Sequence, residues 1–149
     1  MGMVFDSKET AIGRIEYILK NYGRLRDYYI RRMHYYKSAV ESAVLEYDRP
    51  EGQGNRPDQT GHAAKLMHVL AAEWCFTEAV WHAGEELADP DEYEIFCSLY
   101  VNHVSWYQLQ HETGRNPNTI NRIRKKAMES IYRMLKKSEI VHICSSVTE

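Results

Sequence analysis

Cysteine is scarce in this sequence, and its three copies, Cys75, Cys97 and Cys144, form no Cys-x-x-Cys pair. An odd number without metal-ligand spacing argues against a disulfide framework and fits a reducing cytoplasm. Long apolar runs are missing too. None approaches the ~18 residues of a membrane span, and the first thirty residues hold no apolar stretch of a signal peptide. There is no Gly-Lys-Ser/Thr, so no phosphate-binding P-loop is expected. No Ser/His/Asp order or paired-carboxylate signature stands out, so no catalytic residue is expected. Proline and glycine are limited to four and eight, and β-branched runs are few. What remains is an α-rich chain of 149 residues, long enough for one domain or two very small ones.

Charge is plentiful but segregated. The net value of −2 conceals blocks: residues 1–37 carry 8 Lys and Arg against 4 Asp and Glu, residues 38–112 carry 3 against 14, and residues 113–137 carry 8 against 1. A basic surface confined to one end is an electrostatic footprint of nucleic-acid binding. On charge alone a solvated basic helix is the better reading. The seven histidines invite a metal reading, but their spacing does not support one. His62 and His68 are six apart and share no helix face. Glu78 and His82 stand at i,i+4, more often a surface pair than a ligand pair. No metal and no cofactor are expected.

Apolar spacing organises the chain. Ile12, Ile15, Leu19, Tyr22, Tyr29, Met33, Tyr36, Val40, Ala43 and Tyr47 recur at threes and fours, which predicts a helix over 8–47 with Gly23 as a kink. Arg26 interrupts that seam. A helix ~60 Å long must pack in a hairpin or on another chain, so a homo-oligomer is expected with Tyr29, Met33 and Tyr36 at the contact. Residues 48–60, "DRPEGQGNRPDQT", read as a loop. A second helix follows over 60–88, with Leu66, Val69, Leu70, Phe76, Val80 and Leu87 inward and Trp74 and Trp81 as core residues. A third, over 91–103, places Ile95, Phe96, Leu99, Tyr100 and His103 on one face. The domains expected are a helical hairpin over 1–89, a DNA-binding unit over 90–138 and a tail over 139–149.

The stretch "ETGRNPNT" carries the sharpest signal. Ser105 can cap a short helix over 105–112. Gly114 suits the left-handed position that ends it. Asn116 is an N-cap and Pro117 fits the first helical position. These are a stop and a start back to back, as in a helix-turn-helix. In the helix over 117–137, Ile120, Ile123, Ala127, Ile131 and Met134 fall on one side and Asn118, Asn121, Arg122 and Lys125 on the other. Asn can pair bidentately with adenine and Arg with guanine in the major groove, so Asn118, Asn121 and Arg122 are the expected base readers. Arg115, Thr119, Arg124, Lys125 and Lys126 are the expected phosphate contacts.

The segment "SWYQLQHETGRNPNTINRIRKKAMESIYRML" resembles the C-terminal helix-turn-helix of sigma factors, sharing Leu109, Gly114, Thr119-Ile120, Arg122-Ile123 and Lys126-Ala127. It departs from that pattern at Gln110, where a small residue is usual, and at Pro117, near a DNA-contacting position. "IEYILKNYGRLRDYYIRRM" (15–33), with the loop and second helix, resembles the RinA/ArpU-type late-operon transcription activators of phages and prophages. The resemblance implies an all-α fold, a long N-terminal helical hairpin with a sigma-like helix-turn-helix, and binding to promoter double-stranded DNA beside RNA polymerase. Two alternatives stay open: a small terminase-like packaging subunit, and a helical adaptor that binds RNA polymerase through the acidic block. No membrane partner is expected.

Overall fold

The computed structural model describes the backbone of residues 7–47 and 56–138, and the side chains of 7–42 and 61–138. The described residues are all helical in their regular structure: α1 (Lys8–Lys20), α2 (Tyr22–Tyr47), α3 (Arg56–Glu85), α4 (Pro90–Phe96) continued by a π-helical turn (Cys97–Val101), α5 (Trp106–Thr113) and α6 (Pro117–Lys137). No described helix is long and apolar enough to cross a membrane. Most of the expected loop over 48–60 and the whole tail over 139–149 lie outside the described residues; the rest of that loop, from Arg56, already belongs to α3.

The single helix expected over 8–47 is two helices, and the break falls at Asn21 rather than at Gly23. Asn competes with the helical backbone through its own amide. Asn21 Nδ2 donates to the Tyr17 carbonyl at 2.8 Å, while the Asn21 carbonyl accepts from the Leu25 N–H at 2.9 Å and starts α2. Leu25 packs against the core, and Arg26, which interrupted the expected pattern, simply faces solvent.

Helix α3 covers the seam of α2, and the two run antiparallel. Tyr22 stacks on Trp81 with ring centroids 4.2 Å apart, and Tyr29 on Trp74 at 6.4 Å. Polar tips are joined across the same interface: the Tyr22 hydroxyl donates to Glu78 at 2.9 Å, and the Thr77 hydroxyl to that of Tyr29 at 3.4 Å. Tyrosine suits such a place because its ring is buried while its hydroxyl finds a partner. Burial, with the bond to Glu78, pushes the Tyr22 hydroxyl up to about 12. Tyr29 was expected at a contact between chains; it is instead buried inside this one. Met33 and Tyr36 are half-buried on the same helix. The seam's length is therefore no argument by itself for a second copy.

The principal core ignores the expected division at residue 89. Ile15, Ile18 and Leu19 of α1, Phe76, Val80 and Ala83 of α3, Phe96 and Tyr100, and Ala127, Met128, Ile131 and Leu135 of α6 form one buried cluster. Met128 and Leu135 are buried within it, and Met134, expected inside, is only half-buried. Phe96 sits directly on the backbone of α3: a Cβ at Gly84 would overlap its ring. A second, smaller core of Ile95, Leu109, Ile120 and Ile123 joins α4, α5 and α6.

Helix α4 begins at Asp89, whose carboxylate accepts from the N–H groups of Asp91 and Glu92 at 2.9 and 3.2 Å. Its C-terminal end widens: the Asn102 N–H reaches the Cys97 carbonyl at 2.8 Å. His103 then takes a left-handed backbone, φ 54°. That turns His103 into solvent, off the buried face expected for it.

Candidate nucleic-acid interface

The α5–turn–α6 unit is built by its capping residues. The Ser105 hydroxyl accepts from the Gln108 N–H at 3.1 Å and starts α5. Gly114, at φ 67°, ends it and returns its N–H to the Gln110 carbonyl at 2.9 Å. Asn116 Oδ1 accepts from the Thr119 N–H at 2.9 Å, and Pro117 opens α6. Stop and start lie two residues apart because each cap satisfies backbone groups that the helix ends leave open.

Packing then fixes which way α6 faces. Ile120, Ile123, Ala127, Met128, Ile131 and Leu135 are buried. Asn118, Arg122, Lys125 and Lys126 are exposed, and Asn121 is half-buried. Asn118, Asn121, Arg122, Lys125, Lys126 and Glu129 line a shallow groove of about 330 Å³ on the outer side of the helix. Glu129, its one carboxylate, meets Lys8 of α1 at 3.6 Å.

The cations expected at the DNA fall into two sets. Arg122, Lys125 and Lys126, one base reader and two phosphate contacts, have no carboxylate partner among the described residues. Arg115 and Arg124 are tied internally. Arg115 reaches Asp91 at 3.0 Å and Glu94 at 3.8 Å, which anchors the turn to α4. Arg124 pairs with Glu16 of α1, and both side chains are largely covered, at 18% and 25% exposure. At 100° per residue Arg124 lies between Ile120, Met128 and Ile131, in the middle of the buried arc. Burial lowers its pKa from the ordinary arginine value, yet a guanidinium stays protonated in proteins. The charge must be met in place, and Glu16 meets it.

Arg124 also occupies a neighbour. Its Nε and Nη2 donate to Asn121 Oδ1 at 3.3 and 2.8 Å. Asn121 therefore presents only its NH2 group, and a bidentate pair with adenine needs both an acceptor and a donor. Asn118 and Arg122 are the base-edge candidates with no hydrogen-bond or ion-pair partner among the described residues. Thr119 is half-buried beside the helix start.

Several residues here carry no periodic signal in the sequence. Glu16 is one, since nothing in an isolated helix says which cation will face it. Trp106 and Tyr107 are others: both rings are exposed on α5, Tyr107 at 80%. Tyr100 lines the neighbouring cleft. Its hydroxyl is buried without a partner among the described residues, and burial pushes it up to about 12. Among the described residues no group of three or more His, Cys, Asp or Glu is arranged to hold a metal ion. Glu78 and His82 do approach, at 3.9 Å, but His82 is held by Glu85 at 3.0 Å. No protein-family model, curated protein or solved structure matches this chain.

Proposed function

We propose that this protein is a sequence-specific double-stranded DNA-binding transcription regulator, with α5 and α6 acting as a sigma-like helix-turn-helix and α6 entering the major groove. The observation that carries the reading is the split among the cations of α6. Arg124, which packs the fold, is neutralised by Glu16, whereas Arg122, Lys125 and Lys126 stand together with Asn118 on an exposed face where no carboxylate pairs with them among the described residues; Glu129, the one acid of that groove, is turned to Lys8. Keeping unpaired cations side by side costs repulsion, and a phosphate backbone relieves it. Arg122 and Asn118 lie near the N-terminal end, the part of a recognition helix that meets base edges. Activation of phage or prophage late genes, contact with RNA polymerase and a cytoplasmic location follow from the resemblance to RinA/ArpU-type activators.

The test is selection of duplexes from a random pool by the purified protein, followed by footprinting and transcription in vitro with and without the selected site. A regulator enriches one sequence, protects it near a promoter and changes transcript yield. Failure to enrich any sequence over the starting pool removes the reading.

A further inference from the structure

We propose that the outer face of α2 is a second contact for nucleic acid, a line of phosphate donors that holds duplex DNA flanking the site read by α6. The inference rests on the DNA-binding reading of α6 and extends it to a part of the chain that carries no helix-turn-helix signal.

The line is Arg24, Tyr28, Arg31 and Tyr35. Spacings of four, three and four keep them within about a 60° arc of the helix surface, on the side away from the Tyr22, Leu25 and Tyr29 seam. Tyr28 and Tyr35 are exposed at 46% and 62%. Tyr17 of α1 extends the line, because Arg24 Nη2 donates to its hydroxyl at 3.1 Å. From Arg24 to Tyr35 the rise is ~17 Å at ~1.5 Å per residue, long enough to reach several phosphates of a duplex.

These groups are held ready but not neutralised. Arg24 also donates to Asn21 Oδ1 at 3.0 Å, and Arg31 Nε to the Asp27 carbonyl at 3.4 Å. Arg32, at the edge of the line, donates to the Tyr36 hydroxyl at 2.9 Å. Its guanidinium lies 5.1, 5.8 and 6.0 Å from the rings of Tyr36, Tyr35 and Tyr28. Every one of these partners is neutral, and among the described residues no carboxylate meets Arg24, Arg26, Arg31 or Arg32. Cation–π and hydroxyl contacts orient a guanidinium while leaving its charge in place. Less freedom is then lost when an anion arrives. Arg and Tyr are both ordinary phosphate donors.

Duplex DNA is favoured over an acidic protein by continuity with α6. Helix α1 lies against α6 through the Glu16–Arg124 and Lys8–Glu129 pairs. Lys20 and Arg124 line one cleft of about 340 Å³, and Lys20 stands one turn before Arg24. Those two pairs and Glu16 in the cleft balance the charge between α1 and α6, and among the described residues the unpaired cations resume at Lys20, exposed at the end of α1, and go on to Arg24, Arg31 and Arg32 of α2. A polyanion long enough to pass from α6 beyond the end of α1 meets this second group.

The experiment compares the full chain with a variant carrying Arg24→Gln, Arg31→Gln and Arg32→Gln, by anisotropy titration over a salt series. The probes are a random duplex of about 30 base pairs, the same duplex carrying the selected site, and a single strand of that length. The expected result is a shallower salt dependence on both duplexes, by ~0.9 for each phosphate no longer neutralised, with an unchanged thermal midpoint. Tyr28→Phe with Tyr35→Phe, which keeps rings and charges, should weaken both duplexes less and leave the slope nearly as it was. An unchanged slope in the triple variant, with Arg122→Ala still weakening the selected duplex, overturns the α2 contact and leaves the α6 reading intact. If Arg122→Ala is also without effect on the selected duplex, the α6 reading falls and takes this inference with it. A loss confined to the single strand overturns duplex as the occupant. Unchanged duplex titrations with weakened retention on polyglutamate overturn it in favour of an acidic protein.

Discussion

Arg122 and Arg124 stand two residues apart on one helix, in opposite surroundings. Arg124 is covered by the core and closed by Glu16 and Asn121; Arg122 is exposed with no partner among the described residues. The difference shows how a basic helix divides its charge between fold and surface. Two residues on an α-helix turn a side chain through about 200°, enough to move a guanidinium from the inside of the protein to the outside. A count of cations on α6 therefore overstates what is open to a ligand. The inward arginine joins α1 to α6, so it acts on α6 by holding it in place.

The largest expected effect comes from breaking the inward side. Arg124→Ala leaves Glu16 half-covered without its partner and opens a gap beside Ile120 and Met128. Because both groups keep some solvent contact, the loss is about 1–3 kcal/mol, below that of a fully buried pair. Chemical denaturation checks it. Glu16→Gln keeps an acceptor and should cost less than Arg124→Ala; an equal or larger cost would show that the charge of the pair, and not the packing of Arg124, carries the loss.

Next come the two glycines that set the frame around α6. Gly84→Ala drives a methyl into the Phe96 ring, which is itself enclosed by Trp81 and Tyr100. Overpacking of that kind costs about 1–3 kcal/mol, offset in part by the better helix propensity of alanine, up to ~1 kcal/mol. Gly114→Ala meets no neighbouring atom; only its left-handed backbone resists, for about 1 kcal/mol. A thermal melt that ranks Gly114→Ala as the more damaging would contradict the packing of α4 on α3.

The outward side should respond in binding and not in stability. Lys125→Ala and Lys126→Ala should each leave the melting point within ~0.5 kcal/mol of wild type. Each should lower the salt dependence of duplex binding by ~0.9. An unchanged slope would remove that lysine from the interface.

Local signals in the sequence were legible where the physics is local. Ser105, Gly114, Asn116 and Pro117 satisfy or release backbone groups within a few residues, and each acts at its expected place. The apolar face of α6 was legible from spacing, apart from Met128 and Leu135, which are buried, and Met134, which is only half-buried. What could not be read is which element covers which face. Tyr29 has the same spacing whether α3 or a second chain lies against it. Arg124 looks like a flanking cation until Glu16 is brought to it from α1, more than a hundred residues earlier. The break at Asn21 was hidden because the apolar pattern continues across it at threes and fours, with Leu25 taking the place that Arg26 leaves empty. The expected boundary at residue 89 is crossed by one core for the same reason, since α1 and α3 supply much of the core on which α6 rests.

The central claim is that the unpaired outer face of α6 reads DNA sequence. The most direct measurement is a titration of wild type, Arg122→Ala and Arg124→Ala against the selected duplex and a scrambled one, with thermal midpoints taken on the same samples. The account predicts that Arg122→Ala keeps the wild-type midpoint and loses ~1–3 kcal/mol on the selected duplex, with little change on the scrambled one. Arg124→Ala should lower the midpoint. Equal losses for Arg122→Ala on both duplexes, or none on either, would contradict a sequence-reading role for this face.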